Sequence, residues 1–118
     1  MRAADRLLEI ESLCADLAFA VVPIDLDGES LRAILYLNDS TTLRVTELWR
    51  SALLLKYSYY WLNSDNTLRV GWDNAPHHHR LQLTRHPHHK HVGAQSNIQD
   101  SQETDLAAVL GVIRSQTP

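Results

Sequence analysis

Leu53-Leu54-Leu55-Lys56-Tyr57-Ser58-Tyr59-Tyr60-Trp61-Leu62, then Asn63-Ser64-Asp65-Asn66, then Thr67-Leu68-Arg69-Val70-Gly71-Trp72-Asp73, has the grammar of a β-hairpin. In the first run Leu55, Tyr57, Tyr59 and Trp61 alternate with Leu54, Lys56, Ser58 and Tyr60. That is the period-two signature of a strand with one buried face. Ser64-Asp65-Asn66 supplies turn chemistry. The return run places Leu68, Val70 and Trp72 inward, with Arg69, Gly71 and Asp73 on the other face. Reading outward toward the N-terminus, Thr42 to Trp49, Leu31 to Leu37 and Ala18 to Leu26 are three more strands, separated by Asn38-Asp39-Ser40 and Asp27-Gly28-Glu29-Ser30. Strands joined so briefly must run antiparallel, since a parallel pair needs a crossover of about a dozen residues. The expectation is a five-stranded meander.

Helical spacing flanks it on both sides. Leu7, Ile10, Leu13, Cys14 and Leu17 share one face, which predicts an amphipathic helix from Ala4 to Leu17. Leu106, Val109, Leu110 and Ile113 predict a second helix, capped by Ser101 or Thr104. Between Pro76 and Asp100 the periodicity fails, and residues 76–100 read as one long loop. The fold class is α+β: N-terminal helix, meander, histidine-rich loop and C-terminal helix, in one domain over residues 1–118.

Bulk properties narrow the function. The chain has 118 residues and a formal net charge of −3, which argues against a general polyanion binder. The lone Cys14 excludes an internal disulfide and reads as a small buried hydrophobe. Leu17 to Ile24 is too short to span a membrane, and the first residues lack the pattern of a signal peptide, so the cytoplasm is the expected compartment.

The charge distribution is uneven. All seven histidines fall between His77 and His91, while no acid falls between Asp73 and Asp100. Arg80, Arg85 and Lys90 are interleaved with them. Imidazole serves near neutral pH as acid, base or metal ligand. Cleaving RNA through its own 2′-hydroxyl requires a base, an acid and cations for the phosphorane. His77, His78, His89 and His91 are the candidate acids and bases, with Asp73 or Glu47 as orienter or alternative base. Arg80, Arg85, Lys90 and Arg69 are candidate phosphate clamps. Prearranged cations of this kind need no metal, so a metal-independent reaction is the first expectation. The aromatic stripe Tyr57, Tyr59 and Trp61 offers bases a stacking surface, although burial in the core is its commoner use.

Metal binding is the rival chemistry. His86-Pro87-His88 and His89-Lys90-His91 are spaced so that, in extended backbone, each pair points one way. Zinc through this histidine loop is the alternative, in an enzyme or in a non-enzymatic binding module. Asp73-Asn74-Ala75-Pro76 has the composition of an Asx turn ending a strand and leading into the histidines.

Tyr57-Ser58-Tyr59, the block Trp72-Asp73-Asn74-Ala75-Pro76-His77-His78 and the block Pro87-His88-His89-Lys90-His91-Val92-Gly93 together resemble the TumE-like toxin family. The resemblance spans about residues 5–115. It implies a growth-inhibiting toxin of a type II toxin–antitoxin pair, an endoribonuclease by the usual expectation, neutralised by a helix-turn-helix antitoxin. A toxin that transfers a group to RNA or protein is a further alternative, disfavoured by the lack of a Gly-rich phosphate loop. The motif carries Asp73, Asn74, His77, His78, His88, His89, Lys90 and His91 into the site. Tyr60 stands where relatives often have a histidine, and His79 extends the usual pair. The antitoxin is expected to cover the basic histidine face, with Trp72 and Leu81 as exposed anchors, and the oligomeric state is left open, a homodimer included.

Overall fold

The computed structural model describes residues 1–76 and 83–116. Its elements are α1 (Ala3–Leu13), β1 (Ala18–Asp27), β2 (Ser30–Leu37), β3 (Thr42–Arg50), β4 (Leu53–Leu62), β5 (Leu68–Asp73), β6 (His89–Val92), β7 (Ile98–Asp100) and α2 (Leu106–Gln116). The strands form one antiparallel sheet whose spatial order, β1 through β7, repeats the chain order.

Two differences from expectation stand out. Among the described residues the meander has seven strands where five were expected, because part of the supposed loop is sheet. His89-Lys90-His91-Val92 does alternate, with buried His89 and His91 between half-buried Lys90 and Val92, but its buried positions are imidazoles. A hydrophobic pattern cannot register that. The first helix ends at Leu13, four residues early, and residues 14–17 form a turn in which Leu17 and Ala18 both donate to the Cys14 carbonyl.

Turn chemistry at the hairpins is local and repeated. Asp65 Oδ1 accepts from the Thr67 N–H at 3.0 Å and its hydroxyl at 2.6 Å, and Asp39 does the same for Thr41. Between them sit Asn66 at φ 68 and Ser40 at φ 73, left-handed conformations that short polar residues tolerate. At α2 the cap is neither Ser101 nor Thr104. Asp105 holds the Ala108 N–H at 2.9 Å, while the fully buried Ser101 hydroxyl donates to the Glu103 carbonyl.

Both helices lie on one face of the sheet. Ile10 of α1, Cys14 at its C-cap, and Leu106, Val109, Leu110 and Ile113 of α2 join Leu31, Leu35, Leu43, Val45, Tyr59, Trp61 and Trp72 in a single core. The expected inward residues of β4, Tyr57, Tyr59 and Trp61, are all buried there, so this stripe is core and not a stacking surface. Arg114 of α2 clamps Asp16 and the Leu13 carbonyl, tying the helices together. The opposite face carries no helix among the described residues and exposes Arg32, Arg44, Thr46 and Lys56.

Candidate functional site

Sheet register decides which histidines can meet. Directly opposed residues share a face, and successive residues alternate. One row across the open face runs Arg32, Thr46, Ser58, Asp73, His89. The next runs Ile34, Arg44, Tyr60, Gly71, His91. Asp73 therefore faces two imidazoles from the neighbouring strand. His89 Nε2 lies 2.9 Å from Asp73 Oδ1, and His91 Nε2 lies 3.4 Å from Asp73 Oδ2. All three residues are less than a tenth exposed. They form the floor of a cleft of about 630 Å³, whose walls include Lys56, Ser58, Tyr60, Pro76 and Gln95.

Each imidazole is fixed from behind. His89 Nδ1 is 2.9 Å from the Pro87 carbonyl, and His91 Nδ1 is 2.8 Å from the Gln95 carbonyl. A carbonyl only accepts, so Nδ1 carries the hydrogen in both rings and Nε2 faces the carboxylate. Asp73 is anchored in turn, because Oδ1 accepts the Ala75 N–H at 3.0 Å and Oδ2 the Tyr60 hydroxyl at 3.3 Å. The first contact is the expected Asx turn. Burial and the Asp73 charge raise the Tyr60 phenol above its ordinary range, so it remains a proton donor.

Tyr60 reaches Asp73 by crossing Gly71. A Cβ at position 71 would stand 2.2 Å from Tyr60 Cε1, so only glycine lets the ring lie flat across β5.

The other predicted residues are placed elsewhere. Alternation sends Lys90 to the helix side of the sheet, opposite Trp72, where its Nζ lies 3.5 Å from Glu103. His88 also turns that way, stacking on Tyr57 and hydrogen-bonding its hydroxyl at 2.8 Å. Burial and the neighbouring His89 hold the His88 imidazole below its ordinary range. Asn74 lines the cleft, yet its side chain extends the sheet ladder, accepting the Tyr57 N–H and donating to the Leu55 carbonyl, each at 3.0 Å. Arg85 is exposed on the turn before β6, its backbone N–H held by Asp100. Arg69 is bonded to Asn63 and lies over the Trp61 ring at 4.5 Å, at the far end of β5.

Glu47 is corrected outright. It lies on the core face, 1 % exposed, accepting from Arg6 Nε at 2.8 Å, Trp49 Nε1 at 2.9 Å and the Tyr59 hydroxyl at 2.5 Å. Every bond serves packing, so it is no orienter of the histidines. Trp72 is corrected too. It is 1 % exposed, with its indole N–H on Glu103, and cannot anchor a partner from the surface. His77, His78, His79, Arg80 and Leu81 lie outside the described residues.

Sequence reasoning missed the exposed Arg32, Arg44 and Lys56 as fixed cations on the described open face. Their signal was present in the alternation of β2, β3 and β4.

With this geometry in view, the comparisons with known proteins become specific. The sequence profile of the family described as Toxin TumE matches residues 4–117. The chain belongs to that family. The match covers both helices and all seven strands, and so the whole Asp73–His89–His91 arrangement. No curated protein and no solved structure matches the chain. Among the described residues no helix is long and apolar enough to cross a membrane.

Proposed function

We propose that this toxin is the growth-inhibiting half of a type II toxin–antitoxin pair and cleaves RNA in the cleft over Asp73, His89 and His91. The observation that carries the reading is the cluster itself: two backbone-fixed imidazoles meeting one carboxylate, below an open polar face. Buried titratable groups converging in a cleft are a mark of reaction centres. Family membership supplies the toxic role, and RNA is the polymer whose own 2′-hydroxyl needs only proton transfer and charge stabilisation to break the chain.

The open face suits a polyanion despite the net charge of −3. Arg32 and Arg44 stand in the two rows that lead to the cluster, and Lys56 lies beside them. Exposed guanidinium and ammonium groups hold phosphate without reading sequence. A helix-turn-helix antitoxin inhibits in this reading by covering the same face, and the cytoplasm, where both RNA and antitoxin are found, is the compartment.

The test is brief induction in cells followed by mapping of RNA ends. New 2′,3′-cyclic phosphate and 5′-hydroxyl ends are expected with the unaltered chain and not with Asp73→Asn. Growth arrest with intact RNA would refute the reading and favour a group-transferring toxin.

A further inference from the structure

We infer that Asp73, His89 and His91 form a binding site for one borderline divalent cation, with zinc the best fit. Their ligand atoms all lie within 4.8 Å of one another, the one such group of three among the described residues. Zinc bonds of about 2.0–2.1 Å to nitrogen and about 2.0–2.2 Å to oxygen, in tetrahedral geometry, separate neighbouring ligand atoms by about 3.4 Å. The Nε2···Oδ separations of 2.9 and 3.4 Å already match that spacing to within about half an ångström, and the three ligand atoms together lie within 4.8 Å.

The hydrogen-bond geometry supports the same conclusion independently. Because both Nδ1 atoms donate to carbonyls, both Nε2 atoms face the Asp73 carboxylate in the tautomer that ligates metals through Nε2. A single dication satisfies all three ligands together. The carbonyls of Pro87 and Gln95, the Ala75 N–H and the Tyr60 hydroxyl are the outer partners that orient metal ligands.

Chemistry gives a third reason. The metal-free expectation relied on fixed cations beside the histidines; of those among the described residues, Lys90 points to Glu103 on the far face, Arg69 lies over Trp61 and Arg85 is exposed on the turn before β6. A cation here takes over their charge-stabilising part. Three protein ligands leave an open position toward the cleft, the pattern of catalytic rather than structural zinc. If the RNA-cleaving reading holds, His77 and His78, which follow Pro76 of the cleft wall, remain the candidate proton carriers. The binding site itself does not depend on that reading.

The full chain, stripped with EDTA, is titrated with zinc sulfate, and the equivalents retained after gel filtration are measured by mass spectrometry. One equivalent is expected. A variant carrying His77→Asn, His78→Asn, His79→Asn and His86→Asn should keep it, which separates the site from adventitious binding by loop histidines. Asp73→Asn and His91→Gln should each weaken binding by at least the roughly 10–100-fold that loss of an outer partner costs. Should those two variants fail to fold, imidazole ¹⁵N shifts of the unaltered chain decide: zinc must shift Nε2 of His89 and His91 while Nδ1 stays protonated. Zinc that disappears with the four loop histidines, or Nε2 shifts unmoved at saturating zinc, would overturn the site. RNA ends are mapped separately, so cleavage without a zinc site, or a zinc site without cleavage, tells the two proposals apart.

Discussion

Glu47→Ala is the perturbation whose cost can be worked most directly from this structure. The Glu47 carboxylate is wholly buried and joins the Arg6 guanidinium, the Trp49 indole and the Tyr59 hydroxyl, drawing α1 onto β3 and β4. Arg6 is 7 % exposed and also lies over the Trp49 ring at 5.0 Å. Burial by itself would depress the Arg6 guanidinium, but its bonds to Glu47 more than reverse that and hold it charged. Removing the carboxylate leaves a buried cation with only the half-exposed Glu9 nearby and deprives the Tyr59 hydroxyl of its acceptor. Breaking one side of such a pair typically costs about 3–5 kcal/mol. At about 4 °C per kcal/mol for a domain of this size, the thermal midpoint should fall by about 12–20 °C. Calorimetry or circular dichroism melting measures this. Arg6→Met combined with Glu47→Leu removes both charges, so it should recover at least half of the loss. A Glu47→Ala midpoint within 5 °C of the unaltered chain (about 1 kcal/mol), or a double variant as unstable as the sum of its singles, would refute the reasoning.

Three further outcomes are expected. Gly71→Ala should cost about 1–3 kcal/mol by driving a methyl into the Tyr60 ring, and Tyr60→Ala in the same chain should restore the midpoint, as denaturant melts will show. Cys14, 1 % exposed and with its thiol pushed up by burial, should resist iodoacetamide in the folded protein and react in guanidinium. For Asp39, burial alone would raise the carboxyl, but the Thr41 bonds win and hold it below its ordinary value of 3.8. Its stabilising contribution is therefore complete above that value and is lost as pH falls through the lowered one. The difference in stability between the unaltered chain and Asp39→Ala should be constant at neutral pH and shrink below about pH 4.

The parts of the fold that were legible in the sequence are those whose signals are local. Tyr57, Tyr59 and Trp61 declared their face by period-two alternation, and Asp39 and Asp65 declared their turns by composition. β6 was illegible for a physical reason. His89 and His91 are buried on the open face by hydrogen-bonded pairing, and burial achieved that way leaves no hydrophobic trace. The site followed the same division. Clustering alone nominated every histidine and the motif nominated Asp73, but only strand register separates His89 and His91 from His88 and Lys90 and sets both against Asp73. The helix boundary at Leu13 was missed because Leu17 continues the apolar spacing while packing from a turn.

A sheet whose spatial order repeats its chain order has a consequence for synthesis. Each strand pairs only with the one made just before and the one made just after, so the sheet can grow in the direction of translation. Asp73 waits on β5 until His89 and His91 have been added, and α2, which seals the opposite face, comes later still. A nascent chain still being translated short of residue 91 lacks the cluster altogether. The order of manufacture thus withholds the cluster until the sixth strand of the sheet has been made, whatever the eventual target.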